Sequence, residues 1–223
     1  MNPCLVPTPK PDLDGDRRWE SIHNRYLAET KTTESEIVWL GDSIFQELKN
    51  STLWKTKISP LHCTNFGLGG DRVKHLLWRI ENGELDFSSN IKVIVLLVGT
   101  NNTNINETDV FEGIVNLVDK IRSKQPNAAI ILLTLLPRGQ FPNRVREKNL
   151  QVNNFLIDKY KNESEEKENI HLIPIHENIV QEDGTISHHV LHDYLHLTDY
   201  AYTKVFTPVY EKIVELLNEK KKS

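Results

Sequence analysis

The chain has 223 residues, of which 26% are charged and 38% hydrophobic, and its formal net charge at pH 7 is −4. This length allows one domain with a sizeable buried core, and the ordinary composition excludes extensive disorder. The slight acidic excess lacks the positive charge that is typical of nucleic-acid-binding proteins. No apolar run approaches the ~20 residues that a membrane-spanning helix needs.

The amino-terminal segment, residues 1–16, is rich in proline and aspartate, which predicts an extended arm. It lacks the apolar core of a signal peptide. Cys4 and Cys63 are the only cysteines, which argues against a disulfide framework and fits a reducing compartment. We therefore expect a cytoplasmic protein with one folded domain over residues 17–218 and a basic tail at 219–223.

Apolar patterns then predict helices that alternate with strands along the chain. The predicted strands cover residues 37–40, 61–66, 92–98, 129–136 and 170–173. The predicted helices cover residues 17–30, 43–53, 72–82, 109–123, 144–160 and 198–217, and the charged residues 161–168 are predicted to form a solvated connection. Because the strands are almost wholly apolar, we expect a parallel sheet between two helical layers, a three-layer α/β/α domain.

Three predicted strands end in polar or glycine-rich turns, at Ser43, at Gly67–Asp71 and at Gly99–Asn102. The carboxyl ends of parallel strands share one edge of the sheet, so we expect these turns to lie together. A serine between a strand and a helix can attack a carbonyl where helix N–H groups favour negative charge. Plainer explanations are that Asp42 or Ser43, and likewise Asn101-Asn102, only cap helices, and that the glycines only form a tight turn.

The segment Asp193-Tyr194-Leu195-His196 stands just before the last predicted helix. A carboxylate three residues ahead of an imidazole can orient it and stabilise its positive charge. Ser43 as nucleophile, His196 as general base and Asp193 as the orienting carboxylate make a set for nucleophilic catalysis.

Two alternatives involve a cofactor or a metal. A nucleotide-binding loop at Gly67–Gly70 is disfavoured, because the segment lacks the dinucleotide spacing and the Lys-Ser/Thr of a phosphate cradle. The second alternative is a zinc site, for which the candidate ligands are His188, His189, His192, His196 and Asp193. No cysteine or carboxylate cluster elsewhere clearly completes that site, so we expect neither a metal nor a cofactor.

These segments together resemble the SGNH (GDSL-type) hydrolases. Gly41-Asp42-Ser43 resembles the first block of that family, Gly70 the second, Gly99-Thr100-Asn101 the third and Asp193–His196 the last. A resemblance to the catalytic α subunits of intracellular platelet-activating-factor acetylhydrolase type Ib extends over nearly the whole chain. It includes Asp16–Trp19, Asn65–Gly67, Leu77–Arg79, Asn82–Leu85, Val98–Asn102, Leu135–Gly139 and Leu195–Thr198.

The resemblance implies a flavodoxin-like fold and hydrolysis of the sn-2 acetyl ester of platelet-activating factor without calcium. It also implies a homo- or heterodimer of catalytic subunits and a lissencephaly-type WD-repeat β-propeller as a possible partner. By position, the backbone N–H groups of Ser43 and Gly70 and the side-chain amide of Asn101 would form an oxyanion hole. Ile44, Thr100 and Leu195 would narrow the acyl pocket to two carbons.

The sequence departs from the family pattern at two places. His192 stands where we expect an aromatic residue, and Arg72-Val73-Lys74 stands where we expect small polar residues. Two other functions are considered beside the acetylhydrolase: a catalytically idle dimeric scaffold that binds the propeller, and a broader esterase or thioesterase.

Overall fold

A computed structural model describes residues 1–162 and 169–219. The predicted connection at 161–168 and the predicted basic tail at 219–223 lie almost wholly outside these residues. Within the described ranges, no helix is both long enough and apolar enough to cross a bilayer.

Five parallel strands form one sheet in the order β2-β1-β3-β4-β5. They run over Ile37–Gly41 (β1), Cys63–Gly67 (β2), Val93–Leu97 (β3), Ala129–Leu133 (β4) and Ile170–Ile173 (β5). Every residue of β1, β3 and β4 is buried, and each such aliphatic side chain contributes about 1.5–3 kcal/mol of hydrophobic free energy. This strand order is that of flavodoxin-like sheets, so the predicted α/β fold is confirmed.

Helices flank the sheet on both sides. They run over Arg18–Thr32 (α1), Ser43–Leu48 (α2), Val73–Arg79 (α3), Glu107–Lys124 (α4), Arg144–Asn162 (α5) and Asp199–Glu219 (α6). Short 3₁₀ turns at Pro3–Leu5 and Ser59–Leu61, and π-helical turns at Trp54–Ile58 and Ile80–Glu84, complete the described elements.

The helix that follows β1 is shorter than the sequence predicts. It ends at Leu48 rather than near Leu53. The Ser51 hydroxyl donates to the Leu48 carbonyl at 2.8 Å and accepts from the Trp54 N–H at 3.1 Å. A side chain that bonds the nearby backbone in this way competes with the helical pattern, and the chain turns here.

Strand β4 also ends early, at Leu133, although the apolar run continues to Leu136. The Asn153 side chain accepts from the Leu135 N–H at 2.7 Å and donates to the Leu135 carbonyl at 2.9 Å. A side-chain amide thus takes the place of a neighbouring strand. All residues of the predicted strand are buried, but only Ala129–Leu133 pair as a strand.

The amino-terminal arm lies against α3 and α4. Cys4 is 1% exposed, and a Cβ on Gly113 of α4 would lie 2.5 Å from the Cys4 Cβ. Further along, the Thr8 N–H donates to the Lys74 carbonyl at 3.2 Å, and the Lys10 ammonium donates to the Gly69 carbonyl at 2.8 Å. The arm therefore reaches from the α4 surface to the turn after β2.

Strand β1 lies between β2 and β3, so three strand ends are neighbours. Gly41 is in register with Gly67 on one side and with Leu97 on the other. The turns that follow these strands begin at adjacent positions on one edge of the sheet, as the parallel topology predicts.

Candidate active site

Ser43 is the first residue of α2, and only Asp42 separates it from the end of β1. Asp42 is the helix cap, because its Oδ1 accepts from the Ile44 N–H at 3.0 Å. The capping explanation therefore holds for Asp42 and leaves the Ser43 hydroxyl available for another partner.

Two glycines let α2 approach the sheet edge closely. A Cβ on Gly67 would lie 2.4 Å from the Gln46 nitrogen, and a Cβ on Gly41 would lie 2.4 Å from the Leu97 carbonyl oxygen and 2.8 Å from the Phe45 ring. Real Cβ atoms essentially never approach other atoms this closely. The position of Ser43 above the strand ends thus depends on the absence of side chains at both glycines.

The His196 imidazole lies between the Ser43 hydroxyl and the Asp193 carboxylate. Its Nε2 is 2.9 Å from Ser43 Oγ, and its Nδ1 is 2.7 Å from Asp193 Oδ2. An ionised Asp193 accepts the Nδ1–H, so the Nε2 lone pair faces the serine hydroxyl. The arrangement can take a proton from Ser43 as that oxygen attacks a carbonyl.

A short loop holds Asp193 and His196 in this relation. Leu191 and Leu197 form an antiparallel bridge, and Tyr194 between them has a φ of 62°. The Tyr194 carbonyl accepts from the Gly139 N–H at 2.7 Å, which joins this loop to the one after β4. The single local turn expected from the sequence is therefore present.

The Asp193 carboxylate is held in its ionised form. Burial alone would raise its pKa, but hydrogen bonds from the His196 N–H, the His196 ring and the Leu195 N–H outweigh this and lower the pKa to about 2. Asp193 is accordingly a carboxylate throughout the physiological pH range, which suits an orienting role.

The two other residues predicted for the oxyanion hole lie in the neighbouring turns. Gly70 has a φ of 76°, a backbone conformation that L side chains rarely adopt. One N–H of the Asn101 side-chain amide donates to the Asp71 carbonyl at 3.0 Å, which leaves the other N–H for a different acceptor.

A buried ionic cluster fixes the turn that contains Gly70. Asp71 accepts from Trp19 Nε1 and from Arg79 Nε, each at 2.7 Å. Arg79 is fully buried, pairs with Glu84 and donates to the carbonyls of Phe66 at 3.1 Å and Gly41 at 3.2 Å. This role of Arg79 was not predicted from the sequence, although an arginine within the apolar face of a predicted helix is a signal for a buried partner.

The three residues of the predicted acyl pocket differ in exposure. Ile44 and Thr100 are buried, whereas Leu195 is half-buried in the loop beside His196. The Thr100 carbonyl accepts from Arg138 at 3.0 Å, which links the turn after β3 to the loop after β4. The limit that these three residues would place on acyl length stays a prediction.

Asp42 is a buried acid with one unpaired oxygen. It is 1% exposed, and its Oδ2 finds no hydrogen-bond partner among the described residues. Burial raises the pKa of Asp42 to about 7, although the hydrogen bond from the Ile44 N–H acts in the opposite direction.

Glu47 lies beside His196 and is a site residue that was not predicted from the sequence. Glu47 follows Ser43 by one helical turn and so shares its face of α2, which is the sequence signal that could have identified it. Its Oε1 is 3.6 Å from His196 Nε2, and its Oε2 is 3.6 Å from His192 Nε2.

The histidines that suggested zinc fall into two pairs. The rings of His188 and His189 are tilted against each other with centroids 4.1 Å apart, and the rings of His192 and His196 are stacked with centroids 6.1 Å apart. Within the part of the chain that the structure describes, the group with metal-ligating atoms close together is Glu47, His192 and His196. His188, His189 and Asp193 are outside that group.

Residues 39–204 match the model of the GDSL-like lipase/acylhydrolase family. The chain is 44% identical over 219 residues to the platelet-activating factor acetylhydrolase IB subunit beta homolog of Drosophila melanogaster, covering 98% of this chain and 95% of that protein. It is 42% identical over 216 residues to platelet-activating factor acetylhydrolase IB subunit alpha1 of Homo sapiens, covering 97% and 91%. A solved GDSL-like lipase from Bacteroides thetaiotaomicron has the same fold, with a TM-score of 0.68 and 18% identity over 86% of this chain and 98% of that one.

Proposed function

We propose that this chain, which belongs to the GDSL-like lipase/acylhydrolase family, is an esterase that removes short acyl groups. We infer that its substrates include platelet-activating factor, from which it removes the sn-2 acetyl group. The reaction uses Ser43 as nucleophile, His196 as general base and Asp193 as the carboxylate that orients the base. The single observation that supports these roles most strongly is the continuous hydrogen-bond chain from Ser43 Oγ through His196 to Asp193.

The first step forms an acetyl-enzyme. Ser43 Oγ attacks the acetyl carbonyl carbon while its proton passes to His196 Nε2. The carbonyl oxygen becomes an oxyanion, which accepts hydrogen bonds from the N–H groups of Ser43 and Gly70 and from the Asn101 amide. The intermediate then expels the lyso-lipid alkoxide, which takes the proton from His196.

The second step releases acetate. His196 accepts a proton from a water molecule as that water attacks the acetyl-enzyme carbonyl. The resulting intermediate collapses, His196 returns the proton to Ser43 Oγ, and acetic acid leaves and ionises to acetate in solution. Asp193 stays ionised through both steps and stabilises the positive charge on the imidazole.

The acetyl substrate is supported by the relatives of this chain, which are platelet-activating factor acetylhydrolase subunits. These relatives are enzyme subunits, which favours assembly of this chain with other subunits, and we expect that assembly to be a homo- or heterodimer of catalytic subunits. A lissencephaly-type WD-repeat propeller is then a candidate partner. A pull-down with such a propeller that captures wild type and Ser43→Ala equally would show that docking does not require the chemistry.

The direct test is covalent labelling with a fluorophosphonate probe, followed by mass spectrometry to locate the labelled residue. We expect one label on Ser43 in wild type and none in Ser43→Ala, because only a serine activated by a base reacts readily with such probes. A folded wild-type protein that takes no label would overturn the esterase mechanism and favour the idle scaffold.

A further inference from the structure

Glu47 and His192 lie beside the His196 imidazole, and all three side chains can ligate a metal. Glu47 lies 3.6 Å from His196 through Oε1 and 3.6 Å from His192 through Oε2. One ligand atom from each of the three residues lies within 4.8 Å of the other two. Two imidazoles and one carboxylate are a donor set that zinc and related cations bind, with a further position left for water.

We propose that Glu47, His192 and His196 bind a divalent cation of the zinc type, and that the bound cation inhibits the esterase. The cation is not part of the catalytic machinery, for which the sequence predicts no metal. It acts by occupying the atom of His196 that faces Ser43.

The distances suit a tetrahedral ion. Zinc-to-ligand distances near 2.0–2.1 Å place neighbouring ligand atoms about 3.4 Å apart. The Glu47 carboxylate is already 3.6 Å from each imidazole, through Oε1 to His196 Nε2 and through Oε2 to His192 Nε2. The three ligand atoms lie within 4.8 Å of one another. The His192 side chain is 52% exposed, so it can rotate to bring its nitrogen closer to the other two ligand atoms.

His196 is already oriented as a metal ligand. Its Nδ1 is bonded to Asp193 at 2.7 Å, which directs the Nε2 lone pair away from that carboxylate. A carboxylate that accepts the second ring N–H of a ligating histidine is the usual outer support of a zinc site. The negative charges of Glu47 and Asp193 also offset the charge of the cation.

A cation at this site competes with the chemistry. The Nε2 atom that would bind the metal is the atom 2.9 Å from Ser43 Oγ. Once its lone pair is coordinated, His196 accepts no proton from the serine. The inhibition rests on the proposed role of His196 as base, whereas the binding does not.

Binding is tested by titrating Zn²⁺ into the full chain in a calorimeter. We expect one equivalent to bind wild type, and His192→Phe and Glu47→Gln each to weaken the binding by at least about tenfold. His188→Gln is the matched control, since it removes an exposed imidazole outside the group, and we expect unchanged affinity. A wild type that binds no Zn²⁺, or variants that bind it as tightly as wild type, would overturn the site.

Inhibition is tested by hydrolysis of a short acetyl ester, with each protein compared with its own zinc-free rate. Wild type and His188→Gln should lose activity in step with Zn²⁺ occupancy, and the two ligand variants should keep theirs at the same concentration. Zinc that binds without slowing wild type would overturn the inhibition alone. A protein that hydrolyses no ester without zinc would overturn the inhibition together with the proposed function, while the calorimetry still decides the binding.

Discussion

Asn101 and Asp71 are joined across two neighbouring turns, because the Asn101 side-chain amide donates to the Asp71 carbonyl at 3.0 Å. Asp71 is itself held by Trp19 and Arg79. The amide is therefore oriented before any substrate arrives, which is the condition under which a hydrogen-bond donor stabilises a transition state most strongly.

Replacing this amide tests its role in the oxyanion hole. We expect Asn101→Ala to lower kcat on a short acetyl ester by ~10²–10³. Asn104→Ala is the control, because Asn104 is an exposed residue of the same loop. Steady-state kinetics decide the matter, and an Asn101→Ala enzyme with wild-type turnover would remove Asn101 from the mechanism.

The orienting role of Asp193 predicts a large effect from a small change. Asp193→Asn keeps the shape of the side chain but loses the charge that holds the Nδ1–H tautomer of His196. We expect kcat to fall by ~10³–10⁴ while the circular dichroism spectrum stays that of wild type. Asp183→Asn, which changes an exposed carboxyl in another loop, should keep full activity. Equal losses in the two variants would contradict the assignment.

The predicted acyl pocket can be tested at its least buried member. Leu195→Ala should raise the rate on butyryl esters relative to acetyl esters, because the shorter side chain leaves space beside His196. Leu150→Ala, at an exposed leucine of α5, should leave the ratio unchanged. The ratio of kcat/KM for the two esters is the measurement, and a Leu195→Ala ratio equal to that of wild type would place the acyl limit elsewhere.

Asp42 predicts a dependence of stability on pH. Its pKa is raised by burial to about 7 in the folded protein, against ~3.9 in an unfolded chain. Between these values the folded state binds a proton that the unfolded state lacks. The contribution of Asp42 to the free energy of unfolding therefore falls as pH rises from about 4 to 7.

Asp42→Asn removes this titration and keeps a cap, since its amide oxygen can accept from the Ile44 N–H. The quantity to follow is the free energy of unfolding of Asp42→Asn minus that of wild type. We expect this difference to rise by on the order of 2 kcal/mol from pH 5 to pH 8. Urea denaturation at both pH values measures it. A difference between variant and wild type that stays constant with pH would show that Asp42 does not titrate in this range.

The sequence predicted the sheet and much of the site because both depend on local signals. Apolar runs located β1 to β5, and the parallel topology then brought the turns at Ser43, Gly70 and Asn101 to one edge. The family resemblance is confirmed by the match over residues 39–204. The order and spacing of these segments were thus sufficient for the fold and for the position of the site.

Features that depend on contacts between distant segments were not predicted. Nothing local indicates that Asn153 terminates β4, because its bonds to Leu135 join segments 18 residues apart. Glu47 and His192 are far apart in the sequence and meet only because α2 and the Asp193 loop pack together. The catalytic roles themselves stay predictions that the experiments above address.

The amino-terminal arm has a practical consequence for anyone who makes this protein. The Cys4 side chain packs directly against Gly113 of α4, and the Lys10 ammonium donates a hydrogen bond to the carbonyl of Gly69, next to Gly70. Trimming the first ten residues would uncover apolar surface on α4 and remove one of the contacts that hold the turn containing Gly70. We therefore expect a recombinant protein without these residues to lose activity, although the removed segment is distant in sequence from Ser43. An affinity tag is better attached at the carboxyl end of the chain.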